Sequence, residues 1–160
     1  MENCPFCQIV AGKAQARRVY EDEHTLAFLD INPISRGHTL VIPKRHIQWF
    51  TDILPSDNIA GPFLKTCYVI ARKLRNSFDC EYVTMLIRGT RLPHLHMLLI
   101  PTIRGEENLL DHTLALHHHC QVRMLPQFSD RDLDEIARPP NVAEIQVGPM
   151  GVRIGAGQDA

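Results

Sequence analysis

Between about residues 57 and 78, apolar residues recur at three- and four-residue steps: Ile59, Phe63, Cys67, Ile70, Leu74 and Phe78. That period places them on one stripe of an α-helix, the longest element the pattern predicts. Ser56 or Asn58 stands where an N-cap is expected. Pro62 fits only near the helix start, because further in it would remove a backbone hydrogen bond. Elsewhere the period changes to two. "VYEDEHTLAFLD" predicts short strands at 19–20 and 25–29, with "EDEH" as the turn. "HTLVIP", residues 38–43, is a β-branched run ended by proline. It follows an "INPISRG" loop broken by Pro33 and Gly37. "EYVTMLIRG" and "RLPHLHMLLIP" predict two more strands, and a turn at 88–91 makes them an antiparallel pair. "CPFCQIVAG" predicts a turn or short helix. Four or five strands interrupted by one long helix is an α+β arrangement.

Beyond Thr102 the pattern weakens. "SDRDLDEIARPP" predicts a short helix capped by Ser129 and stopped by Pro139, "EIQVGPMGVRI" a hairpin, and "GAGQDA" a disordered end. Residues 1–110 are therefore expected to form one domain and 111–160 a C-terminal extension.

Composition narrows the classes of function. Of 160 residues, 44% are hydrophobic and 22% charged, an ordinary globular balance. A net charge of −1 provides no basic field, so neither nucleic acid nor membrane is expected as a partner. "MENCPFCQIVAGK" lacks the basic start and apolar core of a signal peptide, and no apolar run approaches the ~20 residues of a membrane span. Five unevenly spaced cysteines suit a reducing compartment, which makes the cytoplasm the expected location.

Candidate chemistry centres on "PHLHMLLIP". Strand alternation puts His94, His96 and Leu98 on one face, and Leu95, Met97 and Leu99 on the other, against the helix. Two imidazoles about 7 Å apart along a strand can act on one phosphate or one metal. The same spacing also suits two half-buried histidines satisfied by hydrogen bonds. "CPFC" is a Cys-x-x-Cys pair open to redox, metal or no special chemistry, and no thioredoxin-type βαβ pattern follows it. His117–Cys120, "HHHC", reads as a surface loop, because consecutive side chains diverge too far to cage one ion.

The ordered set "CPFC", "VYEDE", "AFLDINP", "GHTLVIPKRH" and the histidine strand resembles the histidine triad (HIT) family over residues 4–101. The resemblance implies a HIT-like α+β fold, an antiparallel five-stranded sheet with one long helix, pairing into a homodimer. It implies a nucleotide or nucleotide conjugate as ligand. The family's middle motif histidine, His96 here, attacks the α-phosphate and forms a nucleotidyl-histidine, its other nitrogen held by a backbone carbonyl, that of His94. His94 is the first motif histidine, and His38 matches an upstream histidine that orders the motif. Asp30 matches the acceptor of the ribose hydroxyls. Phe6, Ile9, Phe28, Ile31 and Leu40 match the apolar positions around the base, though on sequence alone each is equally well a core residue. In bacterial members with the N-terminal cysteine pair, Cys4, Cys7, His46 and His94 correspond to the ligands of a structural zinc.

Two departures stand out. The third motif position is Leu98, which can donate no proton, so general-acid help worth ~10²–10⁴-fold is absent unless another group supplies it. "RGTRLPH" replaces the family's longer glycine-glutamine segment and offers Thr90 and Arg91, with Arg88, as phosphate contacts. The expected function is a nucleotide hydrolase or nucleotidyltransferase acting through His96. The rivals are a nucleotide-binding or interaction protein with negligible turnover, and a metal-stabilised scaffold whose functional contact is the tail. Leu98 and the atypical 88–91 loop favour the rivals; His38, His94, His96 and Asp30 favour the enzyme.

Overall fold

Alternating apolar runs pair into one antiparallel sheet, and the long amphipathic helix covers one of its faces. The computed structural model describes residues 4–54, 56–89 and 91–106, and beyond them 129, 131, 146–148 and 151–153. In chain order the elements are α1 (Pro5–Val10), β1 (Arg18–Glu21), β2 (Thr25–Leu29), β3 (Thr39–Pro43), a 3-10 turn (Phe50–Asp52), α2 (Ala60–Ser77), β4 (Cys80–Arg88), β5 (His96–Ile103), β6 (Gln146–Gly148) and β7 (Gly151–Arg153). The five-stranded sheet has the order β1-β2-β3-β5-β4, with every pair antiparallel. Two compact units divide the chain, Met1–Thr113 with β1 to β5 and Leu114–Ala160 with β6 and β7. Among the described residues, no helix is long and apolar enough to cross a membrane.

β5 is buried at all eight positions because both faces of the sheet are covered there. On one side Leu95, Met97 and Leu99 join Phe63, Cys67, Ile70 and Leu74 of α2 in one cluster. On the other, Leu98 and Ile100 join Phe6 and Ile9 of α1 with Phe28 and Leu40. The predicted division of the histidine strand into two faces is therefore observed. Phe63, fully buried at the centre of the helix stripe, should be the costliest position on α2 to truncate. Phe63→Ala should lower the unfolding free energy by about 3–5 kcal/mol in urea titration, a large share of a typical domain's stability.

Two local expectations are corrected. α2 starts at Ala60 rather than near 57, with Ile59 as N-cap and no side-chain cap from Ser56 or Asn58. The neighbouring Asp57 is drawn away, pairing with Arg45 and accepting the Leu54 N–H at 3.1 Å. Pro62 sits in the first helical turn, as its missing donor requires. Second, β5 begins at His96, so His94 precedes the strand and residues 89–95 connect β4 to β5 in place of a tight turn. Pro93 has no N–H for the ladder. The Leu95 N–H bonds Ile47 O at 2.6 Å, and a Cβ on Gly89 would lie 2.7 Å from Gln48 O. The connection is thus pressed against the segment that follows β3.

The expected C-terminal hairpin is present as β6 and β7, with Gln146 opposite Arg153 and Gly148 opposite Gly151. The predicted helix from Ser129 to Pro139, apart from Ser129 and Arg131, lies outside the described residues, as do Thr90, His117–Cys120 and the chain end.

Candidate active site and metal cluster

A cleft of about 550 Å³ opens on the α1 side of the sheet. Its apolar wall comes from three elements: Phe6 and Ile9 of α1, Phe28 of β2 and Leu40 of β3, with Ile31 at the rim. Phe6 and Phe28 meet edge to face at 5.6 Å between ring centroids. His96, Leu98, Asp30, Arg88 and Arg91 also line it. The structure thus gathers most of the sequence-predicted ligand residues around one cavity. Sequence reasoning missed Pro5, Ala14, Gln15, Asn32 and Leu92, which share the lining. Only Asn32 carried a signal, since Asp30 Oδ1 accepts its N–H at 2.8 Å in the turn expected of "DINP".

His96 is the first residue of β5 and only 8% exposed. Its Nδ1 lies 2.7 Å from His94 O. A carbonyl can only accept, so Nδ1 carries the proton and Nε2 the lone pair. The Phe6 ring stands edge to face against both His94 and His96, at 5.7 and 5.3 Å, and so fixes their orientation from above.

His38 is buried and does not line the cleft. It immediately precedes Thr39, which pairs with Leu99, so the antiparallel register carries it towards Ile100 and away from His96, while Leu98 stands opposite Leu40. Its Nδ1 accepts the Ile34 N–H at 3.3 Å, with Asp30 Oδ2 at 3.7 Å. Burial pushes its pKa down against the pull of the Asp30 charge. Its Nε2 has no hydrogen-bond partner among the described residues. Leu98, diagonal to it beside Leu40, offers no acceptor.

Behind the cleft, Cys4, Cys7, His46 and His94 bring four ligand atoms within 4.8 Å of one another. Cys4 Sγ to His94 Nδ1 is 3.4 Å, Cys7 Sγ to His46 Nδ1 is 3.2 Å, and Cys7 Sγ to His94 Nδ1 is 3.6 Å. Ligand bonds of 2.0–2.3 Å in a tetrahedron put neighbouring donor atoms about 3.3–3.8 Å apart, so the set fits a single ion. His94 Nε2–H donates to Pro43 O at 2.9 Å, which leaves Nδ1 unprotonated and aimed at the cluster. Burial lowers the His94 pKa, reinforced by His46 and His96 and opposed by the Pro43 contact, and so keeps the ring neutral. Burial and the adjacent Cys4 push the Cys7 thiol up to about 11, so Cys7 holds its proton until a cation displaces it. The cluster could hold a metal.

Fold and site together define an α+β domain with a strand-borne imidazole at the floor of an apolar cleft, backed by a two-cysteine, two-histidine cluster. Residues 11–105 match the HIT domain. Protein hit of Bacillus subtilis is 42% identical over 105 residues, covering 62% of this chain and 71% of that protein. Adenylylsulfatase HINT3 of Arabidopsis thaliana is 29% identical over 122 residues, 73% of this chain and 60% of that one. A crystal structure of a HIT family member from Bacillus subtilis superposes with a TM-score of 0.66 at 32% identity, over 84% of this chain and 92% of that one. A zinc-bound histidine triad family protein from Mycobacterium smegmatis gives 0.55 at 28%, over 75% and 99%. The chain belongs to the histidine triad (HIT) family.

Proposed function

We propose that this domain is an enzyme that transfers a nucleotidyl group through Nε2 of His96, as a nucleotide hydrolase or nucleotidyltransferase. The observation that carries the proposal is the 2.7 Å contact of His96 Nδ1 with His94 O, on a ring that lines the cleft. That bond assigns the tautomer a phosphorus-attacking imidazole needs, and the carbonyl steadies the positive charge formed on attack. The base enters between Phe6, Ile9, Phe28 and Leu40. Asp30 receives the ribose hydroxyls through its oxygen not engaged by Asn32. His38 holds the Asp30 turn in place by accepting the Asp30 N–H on its backbone carbonyl at 3.0 Å, without touching the nucleotide. The family includes nucleotide hydrolases, among them the adenylylsulfatase relative, which supports the same class of chemistry here. Incubation with nucleotides followed by intact-mass measurement tests it, with a His96-linked nucleotidyl adduct as the expected product.

Zinc is the ion we assign to Cys4, Cys7, His46 and His94, with a structural role: a closed set of four protein ligands leaves no position for substrate. The zinc-bound relative supports that identity. The described cysteines are all unpaired, in keeping with a cytoplasmic protein.

Buried, apolar Leu98 also supports a second reading, a nucleotide-binding protein with negligible turnover. Binding without an adduct would establish it.

The protein is further proposed to act as a homodimer. β4 is an edge strand, and its Tyr82, Met85, Leu86 and Ile87, with Leu64 and Tyr68 of α2, are each between 40 and 59% exposed. A long apolar edge left open invites uncontrolled pairing. Sedimentation at micromolar concentration should show a dimer, and Ile87→Asp should shift it to monomer. A wild-type monomer would remove the dimer from the proposal.

A further inference from the structure

The cleft carries more positive charge at the His96 end than an α-phosphate needs. Arg88 and His96 are Cα partners across β4 and β5, so their side chains stand side by side on one face of the sheet. Arg91 follows on the connection held against Gln48 and lines the same cleft. Neither guanidinium has an ion-pair partner among the described residues, so both remain available to an anionic ligand in the cleft. Among the described residues Asp30 is the single acidic one in the lining, and one of its oxygens is engaged by Asn32. An α-phosphate bonded on both sides contributes one negative charge. Two unpaired cations beside the nucleophile therefore call for further anionic charge on the ligand. At the same end of the site Leu98 removes the side chain that would protonate a departing group.

From these two features together we infer that Arg88 and Arg91 take the place of the missing acid, and that the substrate is a nucleoside polyphosphate whose phosphate chain is the leaving group. The inference rests on His96 as nucleophile. In the step it describes, the Nε2 lone pair forms a bond to the α-phosphorus while the bond from phosphorus to the bridging oxygen breaks. The electron pair of that bond stays on the departing oxygen, and the two guanidiniums neutralise the charge without passing a proton. The ring keeps its Nδ1–H and shares the resulting positive charge with His94 O. Water then adds to phosphorus and loses a proton to solvent, the bond to Nε2 breaks, and its electron pair returns to the imidazole. A phosphoramidate, whose nitrogen must be protonated to leave, is a poor substrate for this site.

The experiment compares two esters of the same nucleoside with purine and pyrimidine bases in parallel: the triphosphate, which releases pyrophosphate, and the p-nitrophenyl monophosphate ester. Both leaving groups depart unprotonated, but only pyrophosphate carries concentrated charge for the arginines to meet. In wild-type protein the triphosphate should be turned over. In Arg88→Gln and Arg91→Gln, the ratio of kcat/KM for triphosphate to that for the nitrophenyl ester should fall, by about 100-fold in the double variant. Lysine at both positions should restore part of the ratio and glutamine none. Equal losses on both esters, or no loss, would overturn the inference, the latter leaving a solvated basic turn. A wild-type protein that cleaves the nitrophenyl ester through His96 but not the triphosphate would also overturn it while sparing the proposed nucleophile. If His96→Ala cleaves the nitrophenyl ester at the wild-type rate, the nucleophile fails and the inference with it.

Discussion

His96→Ala should lower turnover of every nucleotide substrate by about 10⁴-fold or more and abolish the nucleotidyl adduct, while nucleotide affinity changes little. The expected size follows from what is removed: the atom that forms the covalent bond to phosphorus, with no second unencumbered imidazole in the cleft lining. His94 cannot substitute, because its Nε2–H is committed to Pro43 O and its Nδ1 faces the cysteines. His38 does not reach the cleft and its pKa is pushed down by burial. The variant should remain folded. It loses one hydrogen bond to His94 O, a cost of about 1–3 kcal/mol for an unsatisfied buried carbonyl, below the stability of an ordinary domain. Thermal melting and nucleotide titration separate loss of chemistry from loss of structure. The adduct should be acid-labile, as a phosphorus–nitrogen bond requires, and full activity in His96→Ala would refute the covalent route.

The second large effect is expected on stability. Cys4→Ala combined with Cys7→Ala should strip the metal from the protein and lower the melting temperature by more than about 10 °C. A tightly held ion stabilises only the folded chain, so its loss removes several kcal/mol at once. The position of the ligands explains why the loss should spread. Cys4 is the N-cap of α1 and Cys7 lies within it, while His46 and His94 belong to the segments that follow β3 and precede β5. With six residues, α1 is too short to persist on its own helix propensity. It stays on the sheet through Phe6, Ile9 and the cluster, and Phe6 orients His94 and His96. Losing the ion should therefore weaken nucleotide binding as well, through the apolar wall of the cleft. Metal analysis of untreated protein should find about one zinc per chain. Protein that carries no metal and melts at the same temperature as the double variant would remove the ion from the site.

Periodicity in the sequence reports which face of an element is buried, and nearly everything it reported is present. The stripe on α2, the strands at 25–29 and 39–43 and the division of Leu95, Met97 and Leu99 from His96 and Leu98 follow from side-chain spacing alone. The resemblance to the HIT family, not spacing, picked out Phe6, Ile9, Phe28, Asp30, Ile31 and Leu40, and these residues line one cleft. What periodicity cannot report is where a backbone group finds its partner in a distant segment. α2 starts at Ala60 without a side-chain cap, and the preceding Asp57 pairs with Arg45. His94 falls outside β5 because the Leu95 N–H goes to Ile47 and the His94 ring to Pro43. The pairing of Arg88 with His96 is set by the register of β4 against β5, and the unpartnered His38 Nε2 emerges only once β3 is laid beside β5. Side-chain chemistry and spacing are local properties of the chain, so the sequence by itself determined the fold class and named candidate residues that come to line one cleft. Register, loop path and hydrogen-bond satisfaction are settled by contacts between segments tens of residues apart, so only the tertiary structure decided which nitrogen of His96 is free and which cations stand beside it.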